Sequence, residues 1–375
     1  MTNRVNRRGL LAAAPAAAVP ALLTTQALAQ APAAPAIVTA PEVRWRLTSS
    51  FPRSTDILFG TPETIARRVG ELTDGKFRIQ CFPGGEIAPP LAALDAVQSG
   101  SIECAHTAAY YYIGKDPSLA FFTAMPFGLN TRQNTAWLRF GGGQDIMNEM
   151  MREYNAIAFP AGDTGAQMGG WFRREIRSLD EIRGLKFRIT GLAGQVFQKM
   201  GATPSVVPAA DIYPSLERGT IDAAEFVGPH DDERLGLSRV APNYYAPGFW
   251  EPGARLHFIA NQRAWDALPN TYKAAIQVAC GEADAEMVAR YDVANPQALR
   301  RLIAAGTQLR FWPRPILEAA WRATNEVYEE IGARNERFKR IWEGYRRFRD
   351  EVYTWHRVSE NSFDNFAFTA SQTVR

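Results

Sequence analysis

Arg188, Glu225 and Glu251 are the side chains of this sequence whose chemistry stands out from its background. Glu225 closes the apolar stretch Asp222-Ala223-Ala224-Glu225-Phe226-Val227, just ahead of the turn Gly228-Pro229. A carboxylate placed there is costly unless a cation, a proton or hydrogen-bond donors compensate it. Arg188 lies in Leu185–Thr190, where Leu185, Phe187 and Ile189 alternate with Lys186, Arg188 and Thr190. That period of two puts the guanidinium on the polar face of a strand. Its forked donors match the two oxygens of a carboxylate. Glu251 sits in a tight aromatic loop, Pro247-Gly248-Phe249-Trp250-Glu251-Pro252-Gly253. Hard cations such as calcium take carboxylate and carbonyl oxygens. The three residues together point to a pocket that holds a small carboxylate and a metal ion side by side. Pattern alone leaves other arrangements open: Arg188 in solvent or in a structural ion pair, and the two glutamates at the surface.

Other residues join the candidate list. Gln167 lies in Thr164-Gly165-Ala166-Gln167-Met168-Gly169-Gly170-Trp171, where small neighbours would let backbone and ligand approach closely, or simply form a crossover loop. Tyr110 belongs to the run Tyr110-Tyr111-Tyr112 and offers a hydroxyl to a ligand or a ring to the core. Two short phrases place these groups. Gln98-Ser99-Gly100-Ser101-Ile102-Glu103 and Glu217-Arg218-Gly219-Thr220-Ile221-Asp222 each read as a helix stopped by glycine and turned into a short strand. The first unit delivers His106, Thr107 and Tyr110; the second delivers Glu225 and Phe226. Two such units predict two similar α/β lobes whose strand ends face a shared cleft, where open α/β sheets hold ligands.

Further elements follow from spacing. Val43–Thr48 and Phe77–Phe82 read as strands. A helix is expected to open at Thr61-Pro62 and to close at Asp74-Gly75. Tyr272–Met287, Pro296–Ala305 and Pro315–Ile331 show helical apolar spacing. Phe338, Ile341, Trp342, Tyr345, Phe348 and Val352 continue it, predicting a long helix across both lobes or a dimer contact through its apolar face. The acidic triplet Asp231-Asp232-Glu233 reads as a helix amino terminus, where acids complement the dipole.

Composition narrows the class. Arg4, Arg7 and Arg8, the apolar run Gly9–Leu23 and Ala27-Leu28-Ala29 follow the order of an export signal. Arg7-Arg8 resembles a twin-arginine motif. The apolar run contains Pro15 and Pro20 and is shorter than the ~20 residues of a bilayer span. Cleavage would remove three of the 42 basic residues, leaving 39 against 39 acidic ones, so nothing favours nucleic acid as partner. A mature chain of roughly 345 residues exceeds one hydrophobic core, which again predicts two lobes. Cys81, Cys104 and Cys280 are expected to be buried and unpaired. The sequence has no G-x-S-x-G elbow, no P-loop lysine and no H-E-x-x-H, so it shows no recognisable catalytic motif.

Several longer motifs, in order, resemble one family. They are His106-Thr107-Ala108-Ala109-Tyr110-Tyr111, Thr164–Trp171, Gly184-Leu185-Lys186-Phe187-Arg188-Ile189, Asp211-Ile212-Tyr213-Pro214 and Glu225–Gly236. From about Trp45 to about Phe366 the chain resembles the DctP-like extracytoplasmic solute receptors of TRAP (tripartite ATP-independent periplasmic) transporters, in the branch binding 2-oxo and 2-hydroxy monocarboxylates. The resemblance implies an α/β, two-lobed periplasmic-binding-protein fold (type II-like) with a long C-terminal helical segment. It implies a signal peptide at 1–29, a leader at 30–41 and lobe I at 42–163, completed by about 253–292. Lobe II would span 164–252, completed by about 293–335, with a C-terminal helical extension at 336–375. It implies a periplasmic receptor, not an enzyme, with membrane permease subunits as partners; a homodimer through the C-terminal helix stays open as the alternative reading of its apolar spacing. Arg188 would pair with the substrate carboxylate, with Tyr110, Gln167 and Phe226 at the same pocket. Glu225, the Phe226 carbonyl and Glu251 would hold a cation that the substrate chelates. Phe226 stands where the family pattern has tryptophan, and Glu251 where relatives have a neutral amide. With Glu225 and Glu251 at −2, substrate at −1 and Arg188 at +1, a divalent ion balances the site, so calcium is expected rather than sodium. The alternative is a periplasmic metal-dependent enzyme acting on a small carboxylic acid.

Overall fold

The computed structural model describes residues 40–373. The expected export signal and most of the leader lie outside them. Along the chain come β1 (Val43–Ser49), α1 (Asp56–Leu72), β2 (Phe77–Phe82), α2 (Ala93–Ser99), β3 (Cys104–Thr107), α3 (Thr131–Phe140), α4 (Gly143–Glu153) and β4 (Ala156–Asp163). There follow β5 (Trp171–Phe172), β6 (Lys186–Arg188), α5 (Ala193–Lys199), β7 (Thr203–Ser205), α6 (Ala209–Glu217), β8 (Ala223–Ala224), α7 (Pro229–Leu235) and β9 (Asn243–Ala246). The last are β10 (Arg255–Asn261), α8 (Gln262–Asp266), α9 (Asn270–Ala304), β11 (Gln308–Phe311), α10 (Arg314–Arg334), α11 (Glu336–Val358) and α12 (Glu360–Thr373).

The strands form a five-stranded sheet, β2-β1-β3-β10-β4, and a six-stranded sheet, β11-β9-β5-β8-β6-β7. The two are built alike. In the first, β1 lies between β2 and β3, all parallel, and β10 joins antiparallel before β4. In the second, β6 lies between β7 and β8, all parallel, and β5 joins antiparallel before β9. The repeated helix-glycine-strand phrases occupy equivalent places, as α2 into β3 and α6 into β8. Gly100 (φ 75°) and Gly219 (φ 71°) take the left-handed conformation that stops each helix.

This pattern sends every candidate residue to one end of each sheet. Tyr110 follows the carboxyl end of β3, and Arg188 and Glu225 lie at the carboxyl ends of β6 and β8. Thr164–Gly170 leaves β4 for β5, and Pro247–Ala254 returns from β9 to β10. Since β5 and β10 run antiparallel, both crossovers meet the same strand ends as the other residues.

Two helices exceed their expected bounds. α1 begins at Asp56, not Thr61, and holds Pro62 in its interior. Its first turn buries Ile57, Leu58 and Phe59, which outweighs the hydrogen bond that proline removes. α9 is one helix through Pro296, with Tyr291 and Ala298 buried on either side of the proline. Packing along α1, β4 and α7 holds it continuous.

At the C-terminal end, α10 runs from α5 of the second lobe to Pro126, whose carbonyl accepts from the Tyr328 hydroxyl at 2.8 Å. α11 buries Phe338, Ile341 and Tyr345 against Phe121, Trp137 and Tyr328. Phe338→Ala is expected to cost about 3–5 kcal/mol through lost burial and a cavity, read from the denaturant midpoint. An unchanged midpoint would mean that α11 is not part of the cooperative core. Among the described residues no helix is long and apolar enough to cross a membrane. The three cysteines are free, with Cys104 and Cys280 buried and Cys81 half-buried.

Candidate ligand and cation site

Arg188 is 2 % exposed, an unusual burial for a guanidinium unless it is paired. Its Nε donates to the Val207 carbonyl at 3.2 Å. One terminal nitrogen donates to both the carbonyl (2.6 Å) and Oε1 (2.5 Å) of Glu225. The Glu225 Oε1 also accepts from the Thr190 amide (3.1 Å) and hydroxyl (3.2 Å). The structural ion pair left open by the sequence is therefore present. It leaves the second terminal nitrogen of Arg188 without a protein acceptor among the described residues.

Glu251 enters from the return crossover. Its carbonyl accepts from the Gln167 amide at 3.0 Å, and the Gln167 carbonyl accepts from the Gly248 amide at 2.9 Å. The two crossovers thus form a short ladder that sets Gln167 beside Glu251. Tyr110, Tyr111, Gln167, Arg188 and Phe226 line one small cavity, walled by Phe51, Leu58, Val227 and Leu256. Its free space is about 10 Å³, about one water, so binding an acid requires the walls to part. Gly191 closes it from the second lobe: at φ 63°, its missing Cβ would lie 2.6 Å from the Tyr110 ring.

The electrostatics are those of a site short of positive charge. Burial pushes Glu225 up to about 6 although Arg188 opposes it. Burial also raises Glu251 well above the usual carboxylate range, and the charge of Glu225 adds to the rise. Burial works against charge on Arg188, yet Glu225 and its neighbours outweigh it and hold the guanidinium above its ordinary value. The pair's members thus point opposite ways: pairing dominates for the guanidinium and burial for the carboxylate. We take Arg188 as permanently charged, since a guanidinium does not deprotonate in proteins.

Glu225 Oε2, Glu251 Oε2 and Gln167 Oε1 are buried acceptors without a hydrogen-bond partner. Buried acceptors are normally satisfied. Oxygen atoms left over from two mutually repelling carboxylates and an amide fit a hard cation, which would supply positive charge and coordination to a bound acid.

Volume alone does not select this site. A groove of about 560 Å³ between α4 and α11 is far larger, but the exposed Glu149 and Arg340 and the ion-paired Glu153 and Arg337 line it. Asp56, His230 and Asp231 offer ligand atoms within 4.8 Å of one another. There Arg234 and Arg290 already pair with Asp56, which disfavours a further cation.

The residues missed by sequence reasoning support the site from behind. Thr190 was legible as the next member of the Arg188 strand face. Asp231 and Asp232 do begin a helix, α7, but both are buried, not solvent-facing. Asp232 accepts from Trp171 Nε1 (2.9 Å), the Tyr244 hydroxyl (2.6 Å) and the Val227 amide (3.3 Å), which fixes the chain beside Phe226. Nothing local in the sequence signals that contact, because Trp171 and Tyr244 reach it from other strands.

Asp231 accepts from the Tyr291 hydroxyl at 2.5 Å, and burial pushes it up to about 7. The folded protein keeps this proton above the pH at which the unfolded chain releases it. Its contribution is therefore lost as pH rises from about 4 to about 7. The melting temperature is expected to fall between pH 5.5 and pH 8. Asp231→Asn should shrink that slope, by roughly 1–3 kcal/mol in stability. An equal slope in the variant would remove Asp231 as its source.

Comparison with known proteins adds five likenesses. Residues 48–335 match the model of the bacterial extracellular solute-binding protein family 7 (DctP). The chain is 48% identical over 327 residues to a monocarboxylate 2-oxoacid-binding periplasmic protein of Nostoc sp., covering 87% of this chain and 90% of that protein. It is 45% identical to a crystallised TRAP transporter solute binding protein from Bordetella bronchiseptica, with a TM-score of 0.88 over 89% of this chain and 100% of that one. That structure is a mixed-occupancy dimer with copurified calcium and picolinate in one site and the other site apo. A TRAP periplasmic solute binding protein from Colwellia psychrerythraea, with calcium and pyruvate, is 34% identical. It has a TM-score of 0.84 over 86% of this chain and 99% of that one. Another, from Pseudoalteromonas atlantica, with sodium and pyruvate, is 35% identical, with a TM-score of 0.83 over 86% and 98%.

Proposed function

Because this chain belongs to the bacterial extracellular solute-binding protein family 7, we propose that it is the periplasmic receptor of a TRAP transporter for a small 2-oxo or 2-hydroxy monocarboxylate such as pyruvate or lactate. The observation that carries this reading is the convergence of Arg188 with the unpartnered oxygens of Glu225, Glu251 and Gln167. A monocarboxylate brings one anionic end for the free guanidinium nitrogen and, at its neighbouring carbon, an oxygen that a cation can share. Phe51, Leu58, Val227 and Leu256 provide an apolar wall for the rest of a short acid.

Each residue has a task in this reading. Arg188 orients the carboxylate, and Thr190 holds Glu225 in place behind it. Glu225, the Phe226 carbonyl and Glu251 hold the cation. Tyr110 and Gln167 complete the polar wall. Phe226 leaves more room beside the bound acid than tryptophan would. Relatives take calcium or sodium. Here two carboxylates face one guanidinium and one bound anion, and the balance favours calcium.

The receptor delivers its closed, loaded form to membrane permease subunits. It works as a homodimer through α11 and α12, where Trp355, Val358, Phe363, Phe366 and Phe368 are exposed apolar residues. Sedimentation at the mass of one chain across micromolar concentrations would remove that contact.

Mass spectrometry of acid released from purified protein, with elemental analysis, tests the main reading. A 2-oxo or 2-hydroxy monocarboxylate accompanied by one calcium per site is expected. Pyruvate recovered unchanged after incubation separates capture from a metal-dependent enzyme. If neither pyruvate nor lactate binds in calorimetry with calcium present, the carboxylate reading fails.

A further inference from the structure

The two crossovers and α9 join the sheets, and one buried guanidinium lies against all three. Arg255 is 1 % exposed and begins β10, at the lobe-I root of the return crossover. Its terminal nitrogens lie 3.2 Å from Asp163 Oδ2, at the root of the outgoing crossover, and against Asp284 Oδ1 in the middle of α9. Asn134, Thr135 and the Thr131 carbonyl, all on α3, accept its remaining hydrogen bonds. The acids are tied in turn. Asp163 Oδ1 accepts from the Thr131 hydroxyl (2.7 Å) and the Gly165 amide (2.9 Å), and Asp284 Oδ1 accepts from the Gly162 amide (3.0 Å).

Four residues beyond Asp163 along the chain lies Gln167, and four before Arg255 lies Glu251. Between these ends the crossovers are joined by the Thr164 amide on the Ala254 carbonyl (3.1 Å) and the Gln167 amide on the Glu251 carbonyl (3.0 Å). The separation of Gln167 and Glu251 is therefore inherited from the Asp163–Arg255 contact through a ladder too short to absorb a shift at its root. Burying three charges is costly, and replacing such a group by apolar residues is often neutral or stabilising. Fold stability alone does not call for it.

We propose that Arg255 is a positioning residue: it clamps the roots of both crossovers and α9 so that Gln167 and Glu251 converge on the ligand and cation site. The inference rests on the site assignment made under the proposed function. A lysine cannot reproduce the clamp, because one ammonium lacks the fork that reaches Asp163 and Asp284 together.

The test uses the full mature protein with Arg255→Lys and, should that variant fold poorly, Asp284→Asn. Asp284→Asn keeps an acceptor for the Gly162 amide and spares the Asp163 contact. Two measurements are made. Amide hydrogen exchange without ligand is expected to quicken about tenfold in 164–170 and 247–254, with β1 and β3 keeping their protection. Calorimetry with pyruvate in saturating calcium is expected to show Kd rising about tenfold or more at a temperature where the variant is folded. A lowered melting temperature with unchanged Kd, or a uniform loss of protection, would make Arg255 merely structural and overturn the proposal. If the parent protein itself does not bind pyruvate, the carboxylate reading falls, while the exchange pattern still decides the role of Arg255.

Discussion

Arg188→Ala is expected to abolish measurable pyruvate binding while leaving the circular dichroism spectrum of the folded protein intact. In the proposed reading the side chain orients the acid; in the structure it satisfies the carboxylate and carbonyl of Glu225 and the carbonyl of Val207. Its removal takes away the guanidinium lining the cavity and leaves the charge of Glu225 acting on Glu251 without an opposing cation beside it. Truncating one member of a desolvated, hydrogen-bonded charge pair costs about 2–5 kcal/mol. In affinity that is roughly 30-fold to several thousand-fold. Most of the loss should appear in the dissociation rate, as is usual when a buried charge contact is truncated. Arg188→Lys keeps the charge but not the fork, and a weakening of about tenfold or more is expected. Calorimetry decides it: an Arg188→Ala variant binding pyruvate as the parent does would refute the assignment.

Glu251→Gln is expected to change which cation the site needs. The substitution conserves shape and an oxygen ligand but removes one negative charge from the count at the site. With Glu225 and Glu251 both present, a divalent ion balances the group. With one of them neutral, a monovalent ion does. Opposite unit charges near 4 Å interact by about 4 kcal/mol at an effective dielectric constant near 20. Calcium affinity should therefore fall on the order of 100-fold, and sodium should support pyruvate binding in a calcium-free buffer. Relatives with calcium and with sodium share this fold, so the fold itself does not choose between them. Titration of the parent and the variant in both salts, with a chelator as control, reads the outcome. If the parent binds pyruvate with sodium and ignores the chelator, the charge argument is wrong.

Much of the candidate site was legible before the fold was known, for identifiable reasons. Arg188 and Thr190 were visible because a strand shows its two faces every second residue. Glu225 was visible because an acid at the end of an apolar strand is costly and must be answered by something nearby. Gly100 and Gly219 marked equivalent helix ends because few residues tolerate the conformation that they adopt. The family resemblance placed Tyr110, Gln167, Phe226 and Glu251 with these groups, and the structure sets Tyr110, Gln167, Phe226 and Arg188 around one cavity.

Helix limits were less legible. Pro62 and Pro296 read as a start and a break, because proline's local cost is fixed and visible in sequence. The burial of Ile57, Leu58, Tyr291 and Ala298 that overrides it depends on partners far along the chain. Asp232 and Arg255 were invisible as supports for the same reason. Trp171 and Tyr244 reach Asp232 from two other strands, and Asp163 and Asp284 reach Arg255 from a strand and a helix.

What the chain determines by itself is local: strand faces, glycine-stopped helices, and charged side chains at places where isolation would be unfavourable. What only the folded molecule decides is which of those charges meet. Arg188 answers Glu225, Arg255 answers two other acids, and Glu251 is left beside a second carboxylate. Electrostatic pairing depends on distance in space and on the water excluded between the partners, and both are set by how the two crossovers are held between the lobes.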